Sequence, residues 1–132
     1  MRGGDKAHNN FTSLILPYLS NSQNWHIREE LLNVLIVCFL RSRNFYDFDA
    51  FKVVEVLLSL LHDSKARIKY LALEALACYS SIGNKFSFFE IVYQLVEADI
   101  QEIIAERIEQ ELFPYINEEG TLQFPFIDNI EN

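Results

Sequence analysis

Cysteine is scarce in this 132-residue chain: there are two, Cys38 and Cys78, and both fall inside apolar runs. Small secreted domains are far richer in cysteine, so the expectation is two reduced, packed thiols in a cytosolic protein rather than a disulfide framework. Glycine and proline are also few, at four and three residues, while half the chain is apolar. That balance argues against global disorder and fits one packed helical domain of ordinary size. No charge-free apolar run reaches about 18 residues, so no membrane-spanning helix is expected. The start, Met1-Arg2-Gly3-Gly4-Asp5-Lys6, lacks the apolar core of a signal peptide and reads as a disordered leader over 1–10.

Groups for chemistry are equally thin. The histidines His8, His26 and His62 lie far apart, and no His-x-x-x-His or Cys-x-x-Cys spacing offers a metal site. No Gly-rich phosphate loop occurs, since Gly3-Gly4 is an isolated pair in the leader. Glu102, Glu106, Glu109 and Glu111 have the spacing of a solvated helix face with Arg107 amid it. No cofactor, metal or catalytic group is expected, and an enzyme is not the reading.

Bases are lacking from one part of the chain. Residues 1–85 carry ten Lys/Arg and eight Asp/Glu, a balance of +2, whereas residues 86–132 carry Arg107 and eleven acids, a balance of −10. Nucleic acid is a poor partner for such a chain, because affinity there comes largely from neutralising phosphates.

What the chain has in quantity is helical periodicity. Phe11–Leu19 is a short apolar segment interrupted by Pro17. After a polar linker that can supply an N-cap, Trp25–Leu40 reads as a helix with Ile27, Leu31, Leu35 and Cys38 on one stripe. Asp47 or Asp49 caps a second helix to about His62, its apolar set being Phe51, Val54, Leu57, Leu58 and Leu61. Asp63-Ser64 caps a third, closed near Ser80 by Gly83 as a left-handed stop. A fourth spans about Ser87–Glu97, and Asp99 caps a fifth from Ile100 to about Phe113. Asn117-Glu118-Glu119-Gly120 is a turn signal, and the strip Phe124-Pro125-Phe126 is placed to fold back on the last helix or to meet a partner. No stretch alternates with period two for long enough to demand a sheet.

The pattern repeats. Asn24-Trp25-His26-Ile27-Arg28-Glu29-Glu30-Leu31-Leu32 returns about 40 residues later as Ala66-Arg67-Ile68-Lys69-Tyr70-Leu71-Ala72-Leu73-Glu74-Ala75-Leu76, the self-similarity of a helical solenoid whose repeats bury their apolar faces on one another. The fold class is therefore all-α, an α-solenoid of helical hairpins with about three repeats over 11–126 and a tail at 127–132.

The stretch Asn24-Trp25-x-Ile27-Arg28-Glu29-Glu30 resembles the fourth HEAT repeat of TOG domains in the CLASP and crescerin group, the latter also called TOG array regulators of axonemal microtubules. Leu60-Leu61-x-Asp63 with Arg67-Ile68, Ala72 and Ala75-Leu76 is similar to the general HEAT consensus. Ile82-Gly83-Asn84-Lys85-Phe86 looks like the tubulin-facing turn of a fifth repeat, and Leu112-x-Pro114-x-Ile116-Asn117-Glu118-Glu119-Gly120 resembles the closing segment of crescerin-type domains. The family builds a domain from six repeats, of which this chain holds about the last three. The turns that would carry the family's anchoring aromatic have no counterpart here.

The resemblance implies a tubulin-binding module, cytoplasmic and cytoskeletal, with the cilium or axoneme as a setting. Its binding edge would be the turns inside each repeat, here Arg41, Arg43 and Asn44 in one and Asn84 and Lys85 in the next, with Gly83 letting the backbone turn. The edge's bases suit acidic tubulin. Trp25, Arg28, Asp63 and Lys69 are read as structural: the Trp25 indole packs on the preceding repeat, and Asp63 is the expected partner of Lys69. The competing reading is a generic HEAT scaffold whose partner meets the acidic C-terminal half or the open N-terminal face, where another repeat segment could dock.

Overall fold

The computed structural model describes residues 14–41 and 49–126. The leader 1–10, the start of the first apolar segment at Phe11, the tail 127–132 and the residues Arg43, Asn44 and Asp47 lie outside the described residues.

Six helices occur among the described residues: α1 at 14–21, α2 Trp25–Arg41, α3 Ala50–Leu60, α4 Ala66–Ile82, α5 Lys85–Leu95 and α6 Ala98–Glu109. Helix α4 is the centre, packing on α2, α3, α5 and α6, while α3 also packs on α5. The result is a two-layer stack, with α2, α4 and α6 in one layer and α3 and α5 in the other, which is the all-α solenoid expected from the repeat.

Helices α2 and α4 run parallel. Near their starts Glu29 meets Arg67 at 2.8 Å, and near their ends the rings of Phe39 and Tyr79 are 4.8 Å apart. Between these points Leu32, Leu35, Ile36 and Phe39 of α2 interlock with Ile68, Leu71, Ala72, Ala75 and Leu76 of α4, all fully buried. The buried stripe of α2 is thus one residue further on than Ile27, Leu31 and Cys38 suggest. Ile27 is exposed, and Leu31 and Cys38 are half-buried. So much of α2 is apolar that periodicity alone could not choose its inward face. In α3 the outlier is Phe51, which stays exposed while Val53, Val54 and Leu57 fill the core.

Side-chain caps fix the starts of α2, α3 and α5. The N-caps of α4 and α6, Lys65 and Glu97, make no side-chain cap bond, so Asp63-Ser64 is not the cap of α4. Asn24 Oδ1 accepts the His26 N–H before α2, Asp49 Oδ1 accepts the Lys52 N–H, and Asn84 Oδ1 accepts the Ser87 N–H. Asp63 accepts the Lys65 N–H just ahead of α4. Gly83 does not make a left-handed stop: its φ and ψ of −133° and −152° are extended, because Asn84 carries the chain directly into α5. Asp99 lies in the first turn of α6 rather than capping it.

After α6 the chain closes with a small β-hairpin, β1 Tyr115–Ile116 paired antiparallel with β2 Leu122–Gln123. Asn117 Oδ1 accepts the N–H groups of Glu119 and Thr121, and Gly120 takes φ +84°, a turn that favours glycine. Strands of two residues are too short for period two to register in the sequence. Beyond the hairpin, the Phe124 ring meets Tyr70 at 6.0 Å and the Phe126 ring lies 5.1 Å from the Arg107 guanidinium. The aromatic strip therefore folds back on α4 and on the last helix. Both cysteines are free thiols, and burial raises Cys78 to about 12, far from its ordinary range.

Candidate functional site: the turn edge

Parallel α2 and α4 deliver their C-terminal ends to one edge of the stack, so the chain turns back into α3 and into α5 on the same side. Helices α3 and α5 are parallel as well, since their C-terminal ends meet around Leu58, His62, Leu95 and Val96. Their first turns consequently stand beside the last turns of α2 and α4 on the turn edge.

Arg41 is the last residue of α2 and is exposed; Asn84 and Lys85 are exposed at the start of α5. Arg41 and Lys85 form no ion pair among the described residues. Lys52 adds a further base in the first turn of α3, held only loosely to Glu55 at 3.8 Å. Asn84 is exposed, and its carboxamide oxygen caps α5, which leaves its nitrogen as the group that can donate to a partner. Gly83 is half-buried between the two helices.

The residues read as structural behave differently from one another. Arg28 takes Asp63, with Nη2 donating to Oδ1 at 3.2 Å, Nε 3.0 Å from Oδ2, and Nη1 donating to the Ser22 carbonyl at 2.6 Å. Asp63 therefore pairs across the seam between repeats, and the expected Asp63–Lys69 pair is not formed. Lys69 stands exposed on α4. Trp25 stacks against His26 and receives Lys65 Nζ 5.3 Å above its ring, so it reaches toward the following repeat.

The sequence reading missed the most buried pair. Arg107 is 6% exposed and Glu74 1%, and they join through two hydrogen bonds, Nε to Oε2 at 2.7 Å and Nη2 to Oε1 at 2.8 Å. Phe113 and Phe126 flank the guanidinium. A signal was present: Glu74 is the one acid in the apolar run Leu71–Cys78, and Arg107 shares its helix stripe with Ile104 and Ile108.

Elsewhere, an apolar cleft of about 500 Å3 lies between α2 and the hairpin, lined by Val34, Val37, Cys38, Leu122 and Phe124 among others. Among the described residues no cluster of three His, Cys, Asp or Glu side chains could hold a metal ion, and no helix is long and apolar enough to cross a membrane.

Comparison with known proteins agrees with this geometry. No family model and no curated protein matches the chain. A solved structure of crescerin, which uses a TOG domain array to regulate microtubules in the primary cilium, is similar at a TM-score of 0.76 and 29% identity, over 90% of this chain and 50% of that one. The chain thus spans half the length of the solved protein it matches. In its all-helical two-layer stack the chain is similar to a TOG domain of crescerin.

Proposed function

We propose that this chain is a non-catalytic tubulin-binding module that works in the regulation of cytoplasmic or ciliary microtubules. The observation that carries the reading is the turn edge, where Arg41 stands exposed at the end of α2 and Lys85 stands exposed at the start of α5, just past the matching end of parallel α4. Arg28, Arg67 and Arg107 are by contrast closed onto acids in the seams, and the crescerin likeness supplies a reason to leave the edge's bases open.

In mechanism the edge acts as a rigid ridge. Arg41 and Lys85 supply charge that orients an acidic tubulin surface, and the side-chain nitrogen of Asn84 supplies a hydrogen bond. Arg43 and Asn44, which follow Arg41 in the chain, belong to the same proposal. No bond is made or broken. Association should accordingly weaken with salt, as encounter between opposite charges does.

Sedimentation of the purified protein with free tubulin tests the reading at low and near-physiological salt. Salt-sensitive association, lost in Arg41→Glu/Lys85→Glu while the melting temperature holds, is the expected result. Absence of association at low salt would overturn it and leave a HEAT scaffold for a different partner.

A further inference from the structure

The turn edge carries a second kind of side chain that the charge argument leaves unused. Phe51 is 43% exposed and Phe86 73% exposed. They occupy the same place in successive repeats, two residues after the side-chain caps Asp49 and Asn84. Because α3 and α5 are packed side by side and parallel, both residues lie in first turns on the turn edge, on helices whose axes are about 10 Å apart.

Helix formation does not ask for an aromatic there. A cap needs a polar oxygen, and the apolar contacts that steady a helix start involve the residue before the cap and the fourth helical position. That fourth position is filled by Val53 in α3 and Phe88 in α5, both buried. Phe51 and Phe86 point elsewhere, and scattered single apolar residues on a surface would not recur at one register. Basic side chains frame them: Lys85 adjoins Phe86, Lys52 adjoins Phe51, and Arg41 ends the neighbouring α2.

We infer that Phe51 and Phe86 are a pair of aromatic anchors for the partner of the turn edge, a surface that is acidic and offers two apolar hollows one repeat apart. This rests on the tubulin reading above and assigns its short-range contacts. Charge complementarity commits the occupant to an acidic protein, since Arg41, Lys52 and Lys85 outnumber Asp49 and Glu55 beside the rings in a chain whose net charge is −8. The bases set the approach, while the rings, once desolvated, hold the complex. Aromatic residues at the centre of interfaces commonly carry most of the affinity.

The test compares three proteins binding free tubulin over a salt series: wild type, Phe51→Ser/Phe86→Ser and Arg41→Glu/Lys85→Glu. The phenylalanine variant is expected to bind about tenfold more weakly or worse at every salt concentration, with the wild-type salt slope. The charge variant is expected to lose that slope. Phe86→Ser alone, at the more exposed site, should lose several-fold and keeps the test open should the double variant fold poorly. If wild type binds and the phenylalanine variants bind equally well, the anchors are refuted while the tubulin reading stands. If wild type does not bind at low salt, both fall.

Discussion

The seams between stacked helices and the turn edge put the same bases to opposite uses. In the seams each guanidinium is closed off: Arg28 on Asp63, Arg67 on Glu29, Arg107 on Glu74. On the turn edge Arg41 and Lys85 have no acid against them among the described residues. The difference separates two jobs. Charge that locks one repeat to the next is removed from solvent and from partners, whereas charge left in water contributes little to stability and remains available for recognition.

The contrast can be broken most severely at its most buried point. Arg107→Ala leaves Glu74 as an uncompensated carboxylate in the core and should cost about 3–5 kcal/mol, read as a lowered urea midpoint. Replacing both partners, Glu74→Leu with Arg107→Met, should recover most of that loss, because the cost comes from the orphaned charge. Equal damage from single and double variants would show instead that the pair itself specifies the closing hairpin.

The outer seam is milder. Arg28→Ala removes hydrogen bonds to a carboxylate and to a carbonyl, and about 2 kcal/mol is expected. Asn84→Ala removes the cap of α5 for about 1 kcal/mol. On the other side of the contrast, Lys69→Ala, Arg41→Glu and Lys85→Glu should each stay within about 0.5 kcal/mol of wild type, as exposed positions usually do. A large loss at Lys69 would restore the Asp63–Lys69 pair that the structure replaces.

These outcomes also mark what could be read from the residues. The repeat, a cap in the polar linker before α2 and the cap at Asp49 were legible, because stripe and cap are both local: an apolar stripe at 3.6 residues and a polar residue before it. The cap at Asn84 was not, since that residue was read as an outward-facing turn. The pairing of Asp63 was not. Lys69 lies six residues away in the chain, Arg28 lies 35 away, and only the stacking of α4 on α2 makes the distant base the near one. The same long-range geometry hid the Glu74–Arg107 bond, in which a base among four glutamates turned out to face the core. Phe51 was misplaced for a related reason. Helical spacing put it on the inward stripe, but α3 presents Val53 and Val54 to α4 and leaves the first-turn ring outside. Gly83 was read as a helix stop from its identity, whereas Asn84 immediately after it sets the path.

Whether the turn edge is the face that meets tubulin is tested most directly by hydrogen exchange on the protein alone and with saturating tubulin. The account predicts slowed exchange at the amides around 50–52 and 83–87, with residues 61–66 and 96–99 on the opposite edge unchanged. Protection of that opposite edge, or of the exposed acidic face of α6, with the turn edge left as it was would contradict it.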